Sequence, residues 1–280
     1  MLVPTELGEL RFAFLPGLAR LLELHAAELP QKDDLCGAFC GSLALRLAGV
    51  VAVGGASLSQ DLVALHAGTA ISAGEHDSFP PGEEGRRDYV IELPRAPSPL
   101  SGTSAAGLVR AVAELAEGRL CVLPLVAEWE RSSVEAVLEA ARAAGEPCAV
   151  IANIATRFFW GTHPTLLQLL HYLEFGDADA GPPAEWDIGH FVLLLGSLLG
   201  RRGTCVLVAD TYKSFGYNGV HLQPAERVAA ALRRPGMTAG GLLLVIPPEQ
   251  AERAEVALTE SGISVGVWDN GSVDAATVGT

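Results

Sequence analysis

"GHFVLLLGSLLGRRGTCVLVADTY" spans residues 189–212. Two apolar runs flank "GSLLGRRG", and a glycine-rich connection between such runs marks a β-hairpin. With the turn near 197–203, an antiparallel pair returns residues 190 and 210 to the same end. His190 heads the first strand and Asp210 ends the second. A base beside a carboxylate that fixes its tautomer and orientation is half of a nucleophilic site. The plainer alternative is a satisfied edge histidine next to a turn-starting aspartate, because every hairpin end brings some polar pair together.

Patterning outward from the hairpin predicts strands over 120–126 and 147–153 and helices over 103–117, 132–144, 162–173 and 224–233. Thr162 is the expected cap of the 162–173 helix, with Pro164 in its first turn. Residues 240–270 read as strand, helix, strand. Toward the N-terminus, residues 10–28 place Leu18, Leu21, Leu22 and Leu24 on one helical face, and Pro30 ends that helix. A loop leads to a helix ending at Gly49, and a short helix is expected near 59–67. Residues 74–88 form a polar loop, "DYVIELP" (88–94) alternates like a strand, and "APSPLSGTS" is a second loop. Helices first and a mainly antiparallel sheet later make the fold class α+β. A single domain is expected, with a helical part at about 1–73, a central α/β part at about 88–175 and a His/Asp sheet at about 186–280.

Hydrophobic residues make up 49% of the 280 and aromatics 6%, so aliphatic packing builds the core. The formal charge is −14, and no Lys/Arg cluster exceeds a pair, which argues against nucleic acid as a partner. "MLVPTELGELRFAF" lacks the basic start and apolar run of a signal peptide. The longest apolar stretch is too short to span a bilayer, so a cytoplasmic location without a membrane span is expected. Five cysteines do not make a disulfide framework. Nothing in the sequence sets an oligomeric state.

"PQKDDLCGAFCGSLALRLAG" (30–49) carries two of those cysteines, four residues apart. Zinc needs about four well-placed ligands, and Cys121, Cys148 and Cys205 each stand alone inside apolar runs. No metal and no cofactor are therefore expected. The spacing is C-x-x-x-C, not the redox C-x-x-C. Cys40, Cys121, Cys148 and Cys205 read as small buried residues. Cys36 differs: it falls in the first turn of a helix, where free backbone N–H groups favour a thiolate. Asp34 works against that, so a nearby base is needed. Of the other histidines, His25 is expected on the last turn of its helix, facing solvent or the helix dipole. His66, His76, His163, His171 and His221 read as structural.

"Q-x-x-D-x-C-G-x-x-C" entering an apolar helix, followed by "G-H-F-V" and "V-x-V-A-D-x-Y", resembles the papain-like cysteine peptidases. The likeness is greatest to the bacterial peptidases that cut after double-glycine leaders, and to their standalone relatives. The Gln31-to-Cys36 spacing is one residue short of that family's commonest form, and the 162–186 segment looks inserted before the histidine. The resemblance implies a papain-like fold in which Cys36 attacks, His190 is the base, Asp210 orients it and Gln31 helps form the oxyanion hole. It also implies a peptide or acyl-peptide substrate, in a standalone bacterial protein rather than an exporter domain, with peptide natural-product maturation as one setting. Three outcomes stay open on the sequence: hydrolysis of a peptide or amide, acyl or peptidyl transfer through the same acyl-cysteine, and peptide binding by a catalytically silent cleft.

Overall fold

The computed structural model describes residues 10–74 and 79–276. Strand β1 (Arg11–Phe14) precedes helices α1 (Leu18–Glu28) and α2 (Cys36–Leu47). Two-residue strands β2 (Ala52–Val53) and β3 (Ala56–Ser57) lead to α3 (Gln60–Ala67), and β4 (Ile71–Ser72) and β5 (Arg95–Ala96) lead to α4 (Ala105–Leu115). Next come β6 (Cys121–Val126), α5 (Arg131–Ala144), β7 (Ala149–Ala155) and α6 (Leu166–Phe175). The remainder is β8 (Gly189–Leu199), β9 (Thr204–Ala209), β10 (Val220–Pro224), α7 (Ala225–Arg233), β11 (Gly241–Ile246), α8 (Ala251–Glu260) and β12 (Ser264–Val265).

The class is α+β. One large sheet runs β10-β9-β8-β7-β11-β6-β12, with β1 added beside the far half of β8, and every pairing in it is antiparallel. Apolar runs such as "FVLLL" arise because the sheet is covered on both faces. Along β8, Phe191, Leu193 and Leu195 enter one core cluster, with Phe39 and Leu43 of α2 and Leu108 of α4. Val192 and Leu194 enter the other, with Val137 of α5, Val228 of α7 and Leu258 of α8. Strand side chains alternate faces with period two, so one uninterrupted apolar run feeds both layers. Among the described residues no helix is long and apolar enough to cross a membrane.

Helix α2 is buried all round, from Gly37 to Leu45. Its two glycines, one turn apart, allow this. A Cβ on Gly41 would meet Leu108 Cδ1 at 2.8 Å, and one on Gly37 would meet Thr103 Cβ at 2.9 Å. The helix therefore lies close against α4 and β8, and its N-terminus is directed to the open end of the β8–β9 hairpin.

Several local expectations need correction. Residues 88–94 form no strand. The segment packs instead around the 30–35 loop, where the Tyr89 hydroxyl donates to the Asp33 carbonyl at 3.0 Å. The helix read across 10–28 begins only at Leu18. Pro16 and the left-handed Gly17 (φ 77°) interrupt it there, and Arg11–Phe14 pairs with β8. The helix expected at 162–173 starts at Leu166, capped by Thr165 in a reciprocal capping box with Gln168, so Pro164 lies ahead of the cap. Of the polar loop expected over 74–88, residues 75–78, including His76, lie outside the described residues.

Candidate active site

Cys36 is the first residue of α2. Helix N-termini leave backbone N–H groups without intrahelical acceptors, so this position faces a concentration of donors. The loop leading into it is fixed one residue at a time. The Gln31 N–H donates to the Thr211 carbonyl at 2.9 Å. Lys32 Nζ donates to Asp61 Oδ2 at 2.6 Å, a pair in which both side chains are buried, and to the Asp88 carbonyl at 2.7 Å. Asp33 accepts from the Arg86 N–H at 2.8 Å and from Arg87 Nε at 2.9 Å. Asp34, in the left-handed region at φ 63°, accepts from the Ser72 N–H at 2.7 Å and the Ser101 hydroxyl at 2.9 Å. Four consecutive polar residues thus tie the approach to Cys36 to four separate parts of the fold.

The hairpin brings in the other half. His190 Nε2 lies 3.2 Å from Asp210 Oδ1, with side-chain exposures of only 2% and 1%. Nε2 is also 3.2 Å from the Thr211 hydroxyl, so both contacts fall on one ring nitrogen and leave Nδ1 open to the Cys36 thiol, whose hydrogen bond to the ring favours the charged imidazole. Burial works against a charged imidazole here. The Asp210 carboxylate and the Cys36 sulfur outweigh it and push the His190 pKa up to about 10. The ring sits between Trp186, edge-on at 4.9 Å, and Tyr212, stacked at 6.0 Å. Asp210 is held in turn: its Oδ1 also accepts from the Tyr212 N–H at 3.1 Å, and its own N–H donates to the Gly219 carbonyl at 2.7 Å.

Gln31 joins them. Its Oε1 accepts from the Thr211 hydroxyl, and its Nε2 donates to the Tyr212 hydroxyl at 3.1 Å. An amide nitrogen carries two hydrogens, so one remains for a ligand. Gln31, Cys36 and His190 line one cleft of about 730 Å³, and Trp186, Asn153 and Arg234 form further parts of its wall.

This protein belongs to a family of unknown function, DUF6885, whose profile matches residues 15–269. That span includes all four of these residues. No curated protein matches the sequence.

Two histidines that the sequence reads as peripheral or structural also converge on Asp210. His25 is buried, not solvent-facing, and its Nε2 lies 2.6 Å from the Asp210 carbonyl oxygen. Burial lowers its pKa, while the hydrogen bond to that carbonyl and the Asp210 charge work the other way. His221 lies in β10, with Nε2 3.9 Å from Asp210 Oδ2. Gln223 Nε2 approaches His221 Nδ1 at 3.1 Å, which makes Nδ1 the acceptor and places the ring proton on Nε2. Burial drives the His221 pKa down to about 4. A signal for His221 was present in "YNGV": Asn218 and Gly219 both have positive φ and close a two-residue turn, which carries His221 back alongside β9.

The remaining cysteines separate from Cys36. Cys40 has no exposed surface, and burial raises its pKa well above the ordinary thiol value. Burial pushes Cys148 and Cys205 up to about 12. Cys121 is half-buried rather than buried, and desolvation raises it too. Among the described residues, no group of three or more His, Cys, Asp or Glu side chains is arranged to hold a metal ion.

Proposed function

We propose that this protein is a papain-like cysteine peptidase or amidase that works through an acyl-thioester on Cys36. One observation carries the reading: a cleft-lining cysteine at a helix N-terminus shares a histidine whose other ring nitrogen is bonded to a buried carboxylate. That is the arrangement by which a thiol is activated and its base oriented.

The Cys36 sulfur attacks the substrate carbonyl as its proton passes to His190. The tetrahedral oxyanion is received by the Cys36 N–H and the second Nε2 hydrogen of Gln31. Loss of one such donor typically costs ~3 kcal/mol of transition-state stabilisation. His190 then protonates the leaving amine, and water, activated by the same ring, releases the acid. Asp210 keeps Nδ1 aimed at sulfur through both halves. The raised pKa of His190 suits the first product of this sequence, a thiolate–imidazolium pair.

The test is active-site labelling followed by turnover of peptidyl amides and thioesters. Cys36→Ala is expected to remove both alkylation in the cleft and hydrolysis, and Cys40→Ala to leave both in place. Equal labelling of Cys36 and Cys40, or labelling of Cys36 that is indifferent to His190→Ala, overturns the reading in favour of a silent peptide-binding cleft. Adding primary amines to the acyl-enzyme distinguishes hydrolysis from transfer: a new amide in the mass spectrum identifies a transferase.

A further inference from the structure

Arg234 is a buried cation with half of its guanidinium unused. It caps α7 in the left-handed conformation (φ 48°), and its side chain runs beneath the head of β8 with 3% of the residue exposed. Nη1 donates to Asn153 Oδ1 and, at 3.2 Å, to the Ala239 carbonyl. Nε is buried and has no hydrogen-bond partner among the described residues. Nη2 packs on Gly189, where a Cβ would stand only 2.6 Å from it. Any other residue at 189 would take the space the guanidinium occupies.

No carboxylate pairs with Arg234 among the described residues. Burial pulls the Arg234 pKa down, and the ionisable group that works against this is Cys36. A buried charge with no counter-ion is strongly unfavourable and is ordinarily paired. Nε has no accessible surface, so the cleft reaches the guanidinium through Nη2, which makes no hydrogen bond among the described residues and can donate to a carboxylate. Arg234, Gly189, His190 and Cys36 all line the same cleft.

We propose that Arg234 reads a carboxylate on the substrate, so that the cleft selects peptides carrying a negative charge beside the carbonyl attacked by Cys36. This rests on Cys36 being the nucleophile. It adds a substrate class that the catalytic residues do not specify. The carboxylate has two sources in a peptide, an Asp or Glu side group and the free C-terminus.

The proposal is tested on the whole protein by alkylating Cys36 with iodoacetate and with iodoacetamide, followed by mass spectrometry of the Cys36 peptide. A thiolate alone repels the anionic reagent. With Arg234 free to receive the carboxylate, the iodoacetate-to-iodoacetamide rate ratio is expected to fall about tenfold or more in Arg234→Gln and to recover partly in Arg234→Lys. A second arm uses wild-type protein only and so does not depend on how a variant folds. Protection of Cys36 is compared for Ala-Ala-Ala amide, Ala-Asp-Ala amide and Ala-Ala-Ala with a free C-terminus. Protection by the aspartyl amide identifies an acidic side group, and protection by the free acid identifies a C-terminus. If the ratio is unchanged in Arg234→Gln and neither acidic peptide protects better than the neutral amide, the carboxylate site is overturned. Fast, His190-dependent reaction with iodoacetamide in that case leaves the nucleophile standing. A Cys36 that is sluggish toward both reagents brings down the catalytic reading and this inference together.

Discussion

The two ends of the β8–β9 hairpin are built from the same kind of strand and finished in opposite ways. At the closed end, the N–H groups of Arg202 and Gly203 both donate to the Leu173 carbonyl, at 3.0 and 3.1 Å. The Tyr172 hydroxyl accepts from the Thr204 N–H at 3.1 Å and shares its one hydrogen between the Thr204 carbonyl at 2.8 Å and the Glu226 carboxylate, while Arg131 bonds to the Arg202 carbonyl and Thr204 hydroxyl, each at 2.7 Å. Each of these groups is satisfied within the protein. At the open end, His221 Nε2 and Arg234 Nε are buried without hydrogen-bond partners among the described residues, as is His171 Nδ1 on α6, next to Tyr172. Native interiors rarely leave such groups orphaned. The closed end is thus tied to α5 and α6, and the open end faces the cleft lined by Gly189, His190 and Arg234.

The largest test of that contrast is at the open end. Cys36→Ala is expected to abolish acyl-enzyme formation and Asp210→Asn to slow it by about 10³-fold, measured by stopped-flow with an activated thioester. Next comes the closed end. Tyr172→Phe strips partners from Thr204 and Glu226 and is expected to lower stability by about 2 kcal/mol in urea melts, with Cys36 alkylation unchanged. A slowed Cys36 in that variant would break the comparison.

A smaller effect is expected in pH. His221 has a folded pKa of about 4, below its unfolded value of 6.5, so its contribution to stability is present above 6.5 and is lost as pH falls toward 4. His190, raised to about 10, contributes below 6.5, and that contribution is lost as pH rises through 10. Stability followed across pH should decline on both sides, and His221→Gln should flatten the acid limb. An unaltered acid limb would mean that His221 is not held neutral by burial. Smallest of all, Cys40→Ala is expected to cost about 1 kcal/mol or less, with no change in labelling.

What could be read from the sequence follows the range of the forces involved. The hairpin, α2 and the strand–helix–strand tail were legible because periodicity and glycine placement are local signals. His190 and Asp210 were legible as a pair because one turn joins them. Residues 88–94 misled because their alternation reflects Tyr89 and Ile91 packing onto the first core, with no neighbouring strand to pair them. His25 and Arg234 could not be found this way. Each reaches the site from a different helix end, and only the tertiary fold sets what it meets. Trp186 sits in a loop whose composition gave no sign that it would cover the histidine.

The loop before Cys36 has one further consequence. Its four polar residues are bonded to partners at 211, 61, 86–87 and 72 with 101, positions scattered over more than half the sequence. The approach to α2 is thus tied to segments that only the tertiary fold brings together. On the role proposed for Cys36, its alkylation rate is expected to fall to that of an ordinary thiol when the polypeptide opens, so that the rate would report closure of the whole domain.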